Sequence, residues 1–262
     1  MSPGDVQAEL AVEVEDRMLR LTLDRPAQYN ALTPTLVRDL TEQLRAATTR
    51  DDVRVVLLTG RGAAFCAGAD LGGPDAQEQY DAGSVDAADH LVRAVVGLDK
   101  PVVCGLNGVA AGVGMSLALA CDLVVARESA SLTLAFTRVG LMPDGGATAL
   151  LAASVGRARA LRLALLSERL GATEAHAAGL VSHVLPDASY DEELAQVVRR
   201  LAVGAPLAFA ATKKAVNAAT LDGLEAAFER ERRGQTVLLG TDDVAEGMRA
   251  FSEKRPPRFT GR

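Results

Sequence analysis

The 262-residue sequence predicts an α/β protein in which strands and helices alternate through about residue 190 and only helical spacing remains from Tyr190 onward. Three observations carry this. Apolar residues at period two near the N-terminus mark paired strands, and β-branched runs ended by glycine mark strands buried on both faces. Apolar residues recurring every third and fourth position mark the helices between them. The chain therefore divides into an α/β body, residues 1–190, and a helical region, residues 191–262.

The elements follow in order. Leu10, Val12 and Val14 alternate with polar residues, Glu15-Asp16 interrupts, and Leu19, Leu21 and Leu23 resume the alternation, which is a β-hairpin. Thr33-Pro34 starts a helix to about Thr48, with a capping oxygen and Pro at the first helical position. A strand follows at Val53 to Thr59. Gly72 to Asp86, with three glycines and a proline, reads as a mobile surface loop. After it come a helix (Ala87 to Leu98), a strand (Pro101 to Leu106), a Gly-Ala helix from about Gly112, and strands at Leu123 to Ala126 and Ser131 to Phe136. Helices at Gly145 to Ser154, Ala158 to Leu166 and Thr173 to Ala178 precede a last strand, Leu180 to Leu185. The helical region breaks at Gly204 to Pro206 and near Gly240.

Composition narrows the function. A net charge of −6 offers no overall cationic field for a nucleic-acid backbone. Three cysteines (Cys66, Cys104, Cys121) without zinc spacing fit a reducing compartment and no metal site. The acidic N-terminus does not read as a secretory signal, and the apolar run Gly108 to Cys121 is too short to span a bilayer. The expectation is a cytoplasmic protein without nucleic-acid or membrane partners. The cationic tail, Lys254 to Phe259, reads as a solvated end.

No dinucleotide fingerprint, phosphate-binding P-loop, zinc-protease motif or nucleophile elbow is present. His90, His176 and His183 are scattered and read as surface or packing residues. Two glycine-rich strand-to-helix junctions remain, Gly60 to Leu71 and Asn107 to Gly114. Small residues let a ligand approach the backbone, and free amides at a helix start attract negative charge. Side by side, two such loops could hold one oxygen between two N–H groups; singly, each is a tight turn.

Three runs stand in one order and spacing: Phe65-Cys66-Ala67-Gly68-Ala69-Asp70-Leu71, Asn107-Gly108-Val109-Ala110-Ala111-Gly112-Val113-Gly114, and Phe136 through Pro143-Asp144-Gly145-Gly146. With them the chain resembles the crotonase (enoyl-CoA hydratase/isomerase) superfamily, from Leu23-Asp24-Arg25-Pro26 to the Arg258-Phe259 end. Pro143-Asp144-Gly145-Gly146, Gly156 to Ala160 and the Phe259-Thr260-Gly261-Arg262 ending look most like its branch that isomerises ring-epoxidised phenylacetyl-CoA and enoyl-CoA esters. The resemblance implies a spiral of ββα turns with a helical C-terminal part that packs homotrimers, often stacked as dimers of trimers. The basic tail would then help close the CoA site.

By motif position, the resemblance puts the thioester carbonyl between the amides of Ala69 and Val113, with CoA-ester contacts from Arg25, Ala67, Asp70, Leu71, Gly72, Gly112 and Pro143. Coenzyme A is then part of the substrate, and no separate cofactor is implied. The chemistry agrees: removing an α-proton puts charge on the thioester oxygen, and each preorganised donor there supplies ~3 kcal/mol. At the positions of the two glutamates found in the family's hydratases, this chain has Ser116 and Phe136. Hydration needs a group to activate water, whereas isomerisation needs one base that takes a proton and returns it.

Asp144 matches the aspartate of the isomerase branch. Its competing reading is an N-cap for the helix that follows. Asp70 and Asp122 also match motif positions and read as structural as well. The expected activity is acyl-CoA isomerisation through a thioester enolate with Asp144 as the single acid/base. The alternatives are an enoyl-CoA hydratase and a non-catalytic acyl-CoA-binding subunit. Apolar spacing at Leu207, Ala211 and Ala215, and at Leu224, Ala227 and Phe228, predicts the trimer contacts.

Overall fold

A computed structural model describes residues 8–71 and 80–262. The N-terminal strands β1 (Leu10–Glu15) and β2 (Met18–Leu23) pair antiparallel across a tight turn in which Asp16 and Arg17 both take positive φ. Helix α1 (Pro34–Ala47) begins where the Thr33 hydroxyl accepts from the Leu36 amide, and it buries Leu36, Leu40 and Leu44 completely. Each such leucine contributes about 1.5–3 kcal/mol of burial free energy.

The chain then repeats a unit three times: a long strand, a short strand, a helix. Strands β3 (Val55–Gly60) and β4 (Ala64–Cys66) lead to α2 (Ala82–Gly97), and β5 (Val102–Leu106) and β6 (Val109–Ala111) lead to α3 (Val113–Ala120). Strands β7 (Leu123–Arg127) and β8 (Ser131–Thr133) lead to α4 (Ala147–Leu166). After the short β9 (Leu170–Gly171), α5 (Ala172–Ala177) and β10 (His183–Leu185), the remaining elements are α6 (Tyr190–Ala202), α7 (Pro206–Thr220), α8 (Leu224–Leu239) and α9 (Asp242–Ser252).

The long strands form one sheet, β1-β2-β3-β5-β7-β10, parallel from β2 onward; the short ones form a second, β4-β6-β8-β9. Alternation along β3 sends Val56 and Leu58 into the main core and Val55 and Leu57 toward Tyr190, Leu194 and Val198 of α6. Burial on both faces explains the continuous apolar runs of these strands. The α/β class and the spiral of ββα turns hold, with a helical C-terminal region.

Several expectations change. Short β4 and β6 lie inside the glycine-rich junctions read as loops. The strand expected at Ser131 to Phe136 stops at Thr133, and Ala135–Val139 is a 3₁₀ helix. The helices expected at Gly145 to Ser154 and Ala158 to Leu166 are both present and meet end to end at a kink, where Gly156 leaves helical geometry (φ 74°, ψ 163°). Helix α2 starts at Ala82, inside the expected loop, because the Asp81 carboxylate takes the Ser84 amide and the Ser84 hydroxyl takes the Asp81 amide. Residues 72–79 of that expected loop lie outside the described residues. The C-terminal tail is not free: Arg255 grips Glu246 at 2.6 and 2.9 Å, and Asp243 accepts from the Thr260 and Gly261 amides.

Candidate active site

The spiral brings the two glycine-rich junctions into contact. A Cβ on Gly108 would lie 2.1 Å from the Ala63 carbonyl oxygen, and one on Gly114 would lie 2.5 Å from that of Cys66, so only glycine permits the approach. Gly68 (φ 98°) and Gly112 (φ 52°) turn the two segments beside each other. Leu32 bridges to this turn by donating to Gly68 and accepting from Asp70. In a parallel bridge that pattern points the Ala69 N–H the other way. Val113 is the first residue of α3, so its N–H has no acceptor within the helix. Ala69 and Val113 line one cavity of about 330 Å³, with Leu32, Pro34, Val37 and Tyr80 among its other walls.

Asp144 sits behind that wall with no exposed surface. Its Oδ2 accepts from the Tyr80 hydroxyl at 2.7 Å and from the Gln235 side-chain amide at 2.8 Å. Its Oδ1 is buried without a hydrogen-bond partner among the described residues. Burial pushes this carboxyl above the ordinary aspartate range, and the two donors oppose the shift. Gln235 is itself held, its carbonyl taking the Met142 amide at 3.1 Å. The Ser116 hydroxyl donates to the Asp144 carbonyl at 2.8 Å, and the Phe136 ring is buried in the 3₁₀ helix near Gly112.

The capping alternative for Asp144 is corrected by the structure. Helix α4 is capped by Glu231 of α8, whose carboxylate accepts from the Gly146 amide at 2.7 Å, the Thr148 amide at 2.8 Å and the Thr148 hydroxyl. Burial raises Glu231 as well, and these bonds oppose it. On α2, Asp89 is buried near Glu231; burial first and the Glu231 charge second push it up to about 8, with Arg93 pulling the other way.

The expected contact residues fare unevenly. Arg25 does not face the cavity as a free cation: it pairs with Glu9 at 2.9 Å and Asp70 at 2.8 Å and donates to the Ala31 carbonyl. Asp70 also borders the cavity. Ala67 is exposed, its amide held by Tyr29, while Leu71 and Gly112 are half-buried and Pro143 is buried. Gly72 lies outside the described residues. Asp122 is structural, accepting from the Val102 amide and Lys213. Burial pushes the Cys66 thiol up to about 12, an inert packing group.

Tyr80, Gln235, Glu231 and Asp89 escaped the sequence reading. A signal existed for two of them. On α8, Leu224 and Phe228 continue at helical spacing to Glu231 and Gln235, so polar side chains stand on the buried stripe. That stripe packs inside this chain, which corrects the expectation that Leu224, Ala227 and Phe228 serve subunit contacts.

Residues 13–262 match the enoyl-CoA hydratase/isomerase family. A probable enoyl-CoA hydratase of Rhodobacter capsulatus is 42% identical over 252 residues, covering 95% of this chain and 97% of that protein. The 1,2-epoxyphenylacetyl-CoA isomerase of Escherichia coli is 38% identical, covering 95% and 97%. The crystal structure of an enoyl-CoA hydratase from Mycobacterium avium subsp. paratuberculosis superimposes with a TM-score of 0.91 at 45% identity, over 97% of this chain and 99% of that one. With the ββα spiral, the paired glycine junctions and matches of this extent, the chain belongs to the enoyl-CoA hydratase/isomerase family of the crotonase superfamily.

Proposed function

We propose that this chain isomerises acyl-CoA thioesters, with Ala69 and Val113 as the amide pair for the enolate oxygen and Asp144 as the one proton carrier. The observation that carries the reading is a fully buried Asp144 carboxylate that caps nothing, while Ser116 and Phe136 occupy the hydratase glutamate positions. A carboxyl raised by burial is a stronger base toward an acyl-chain proton than a solvated one. Coenzyme A enters as part of the substrate. The acyl group is of the enoyl or epoxyphenylacetyl type, in line with the isomerase among the relatives.

The experiment is deuterium uptake from heavy water by a panel of CoA thioesters, with product identification. Asp144→Asn should fold, bind acyl-CoA and lose isomerisation and exchange by several orders of magnitude. The hydratase names of several relatives support a second reading. Loss of crotonyl-thioester absorbance by water addition, surviving in Asp144→Asn, would favour it; binding without turnover or exchange would favour a non-catalytic subunit.

The working unit is proposed to be a homotrimer or a dimer of trimers. Leu207, Ala211 and Ala215 form an exposed stripe on α7, which buries no residue completely within this chain. Light scattering at micromolar concentration tests this, and a monomer would refute it.

A further inference from the structure

If Asp144 carries the proton, as proposed above, one of its two oxygens must do so while the carboxylate stays fixed in a fully buried place. Two donors converge on Oδ2, and Oδ1 has no partner among the described residues. The donors differ in where they stand. Gln235 is completely enclosed, and its other end is tied to the Met142 backbone. Tyr80 stands in the wall of the cavity that Ala69 and Val113 border, so its phenol ties Asp144 Oδ2 to that wall.

The geometry points to Tyr80 as a positioning residue: its hydroxyl, together with the Gln235 amide, pins Asp144 Oδ2 and reserves Oδ1 for the migrating proton. In that step a C–H bond beside the thioester breaks, its proton goes to Oδ1, and its electron pair spreads into the carbonyl. The same proton then leaves Oδ1 to form a C–H bond at the far end of the allylic unit as the double bond shifts. Nothing is oxidised or reduced. A carboxylate with one oxygen held by two donors and the other bare presents a single basic atom of fixed position, as a transfer between the two ends of an allylic unit requires.

The same contact tunes the base. The Tyr80 hydroxyl favours the charged carboxylate and so opposes the effect of burial. The other ionisable groups around Asp144 are Glu231 of α8 and Asp89 of α2, both pushed toward their neutral forms by burial, with Arg93 beyond them beside Asp89. No cation among these supplies the stabilisation that Tyr80 gives, so its removal should move the titration of Asp144 to higher pH.

Infrared titration of the Asp144 carboxyl, identified by the signal that vanishes in Asp144→Asn, reads this coupling without turnover. Tyr80→Phe keeps the ring and deletes the donor, and should move the titration to higher pH. It should also lower the isomerisation rate about tenfold on the acid limb, with recovery as pH rises. A fluorinated tyrosine at the same position, a stronger donor of nearly equal size, should move both the other way. A titration and acid limb unmoved in both variants would overturn the assignment and leave Tyr80 as cavity wall. Shifts of the carboxyl signal as expected, in an enzyme that isomerises nothing, would overturn the isomerase reading while the Tyr80 contact stood.

Discussion

Glu231 takes the amide of Gly146 at 2.7 Å, and by doing so it leaves the carboxylate of Asp144, two residues upstream, without a capping role at the start of α4. The two carboxylates thus divide what the sequence left as alternatives for one. Glu231→Ala should lower stability by about 2–3 kcal/mol, because the buried Gly146 amide loses its acceptor at ~1–3 kcal/mol and the partly exposed Thr148 amide at less. Asp144→Asn should stay within ~1 kcal/mol of the wild type. Chemical denaturation of both variants checks this, and a reversed order would return the capping role to Asp144.

That division also marks where the sequence was legible. The hairpin, the buried parallel strands and α1 follow from period and capping residues that act locally. Asp144, Ala69 and Val113 were reachable through the family resemblance, whose motifs run through the glycine-rich segments around them. Glu231 and Gln235 meet the 142–148 segment across more than eighty residues of chain, a relation no local pattern encodes. Their polar character on a helix's buried stripe was the available trace. Strands β4 (Ala64-Phe65-Cys66) and β6 (Val109-Ala110-Ala111) escaped because three residues set between glycines are too short to show a period, and contact with each other decides their form. The run through Phe136 failed for the opposite reason, since a short apolar stretch reads alike as strand or buried turn.

Asp89 makes stability depend on pH. Its folded value is about 8, above the ordinary aspartate value, so between about 4 and 8 the folded state keeps a proton that the unfolded chain releases. Its contribution is therefore fully present at low pH and is lost as pH rises toward 8. Asp89→Asn should melt close to the wild type at pH 5 and above it at pH 8.5. Calorimetry at the two values measures the difference, and an equal offset at both would remove the claim.

The cavity bears on acyl selectivity. Among the described residues that line it, the carboxylates are Asp81 and Asp70, no lysine, arginine or histidine is present, and because Asp70 is paired with Arg25, Asp81 sets the charge of the wall. An acyl chain ending in a carboxylate would meet like charge; at ~8 Å and an effective dielectric constant of ~20 the repulsion is ~2 kcal/mol. Hexanoyl-CoA should therefore bind about tenfold or more tightly than adipyl-CoA in calorimetric titration. Ala87→Lys, on the same wall, should narrow the gap. Equal affinities in the wild type would mean that the chain end lies elsewhere.

Val113 separates the amide from the side chain as the source of catalysis. It is the first residue of α3, a position where proline suits the backbone and where the N–H bonds nothing in the helix. Val113→Pro therefore deletes one candidate donor to the enolate oxygen with the helix intact, and turnover should fall by ~10²-fold or more. Val113→Ala keeps the donor and removes only the methyl groups near Gly145, so it should retain turnover within several-fold. Affinity for a saturated acyl-CoA should change little in either, because a ground-state carbonyl gains less from the donor than an enolate does. Steady-state rates, ester affinity and melting curves for the pair provide the comparison. Should Val113→Ala prove as damaging as Val113→Pro at unchanged stability, the side chain would be responsible, and the paired-amide site at Ala69 and Val113 would have to be abandoned.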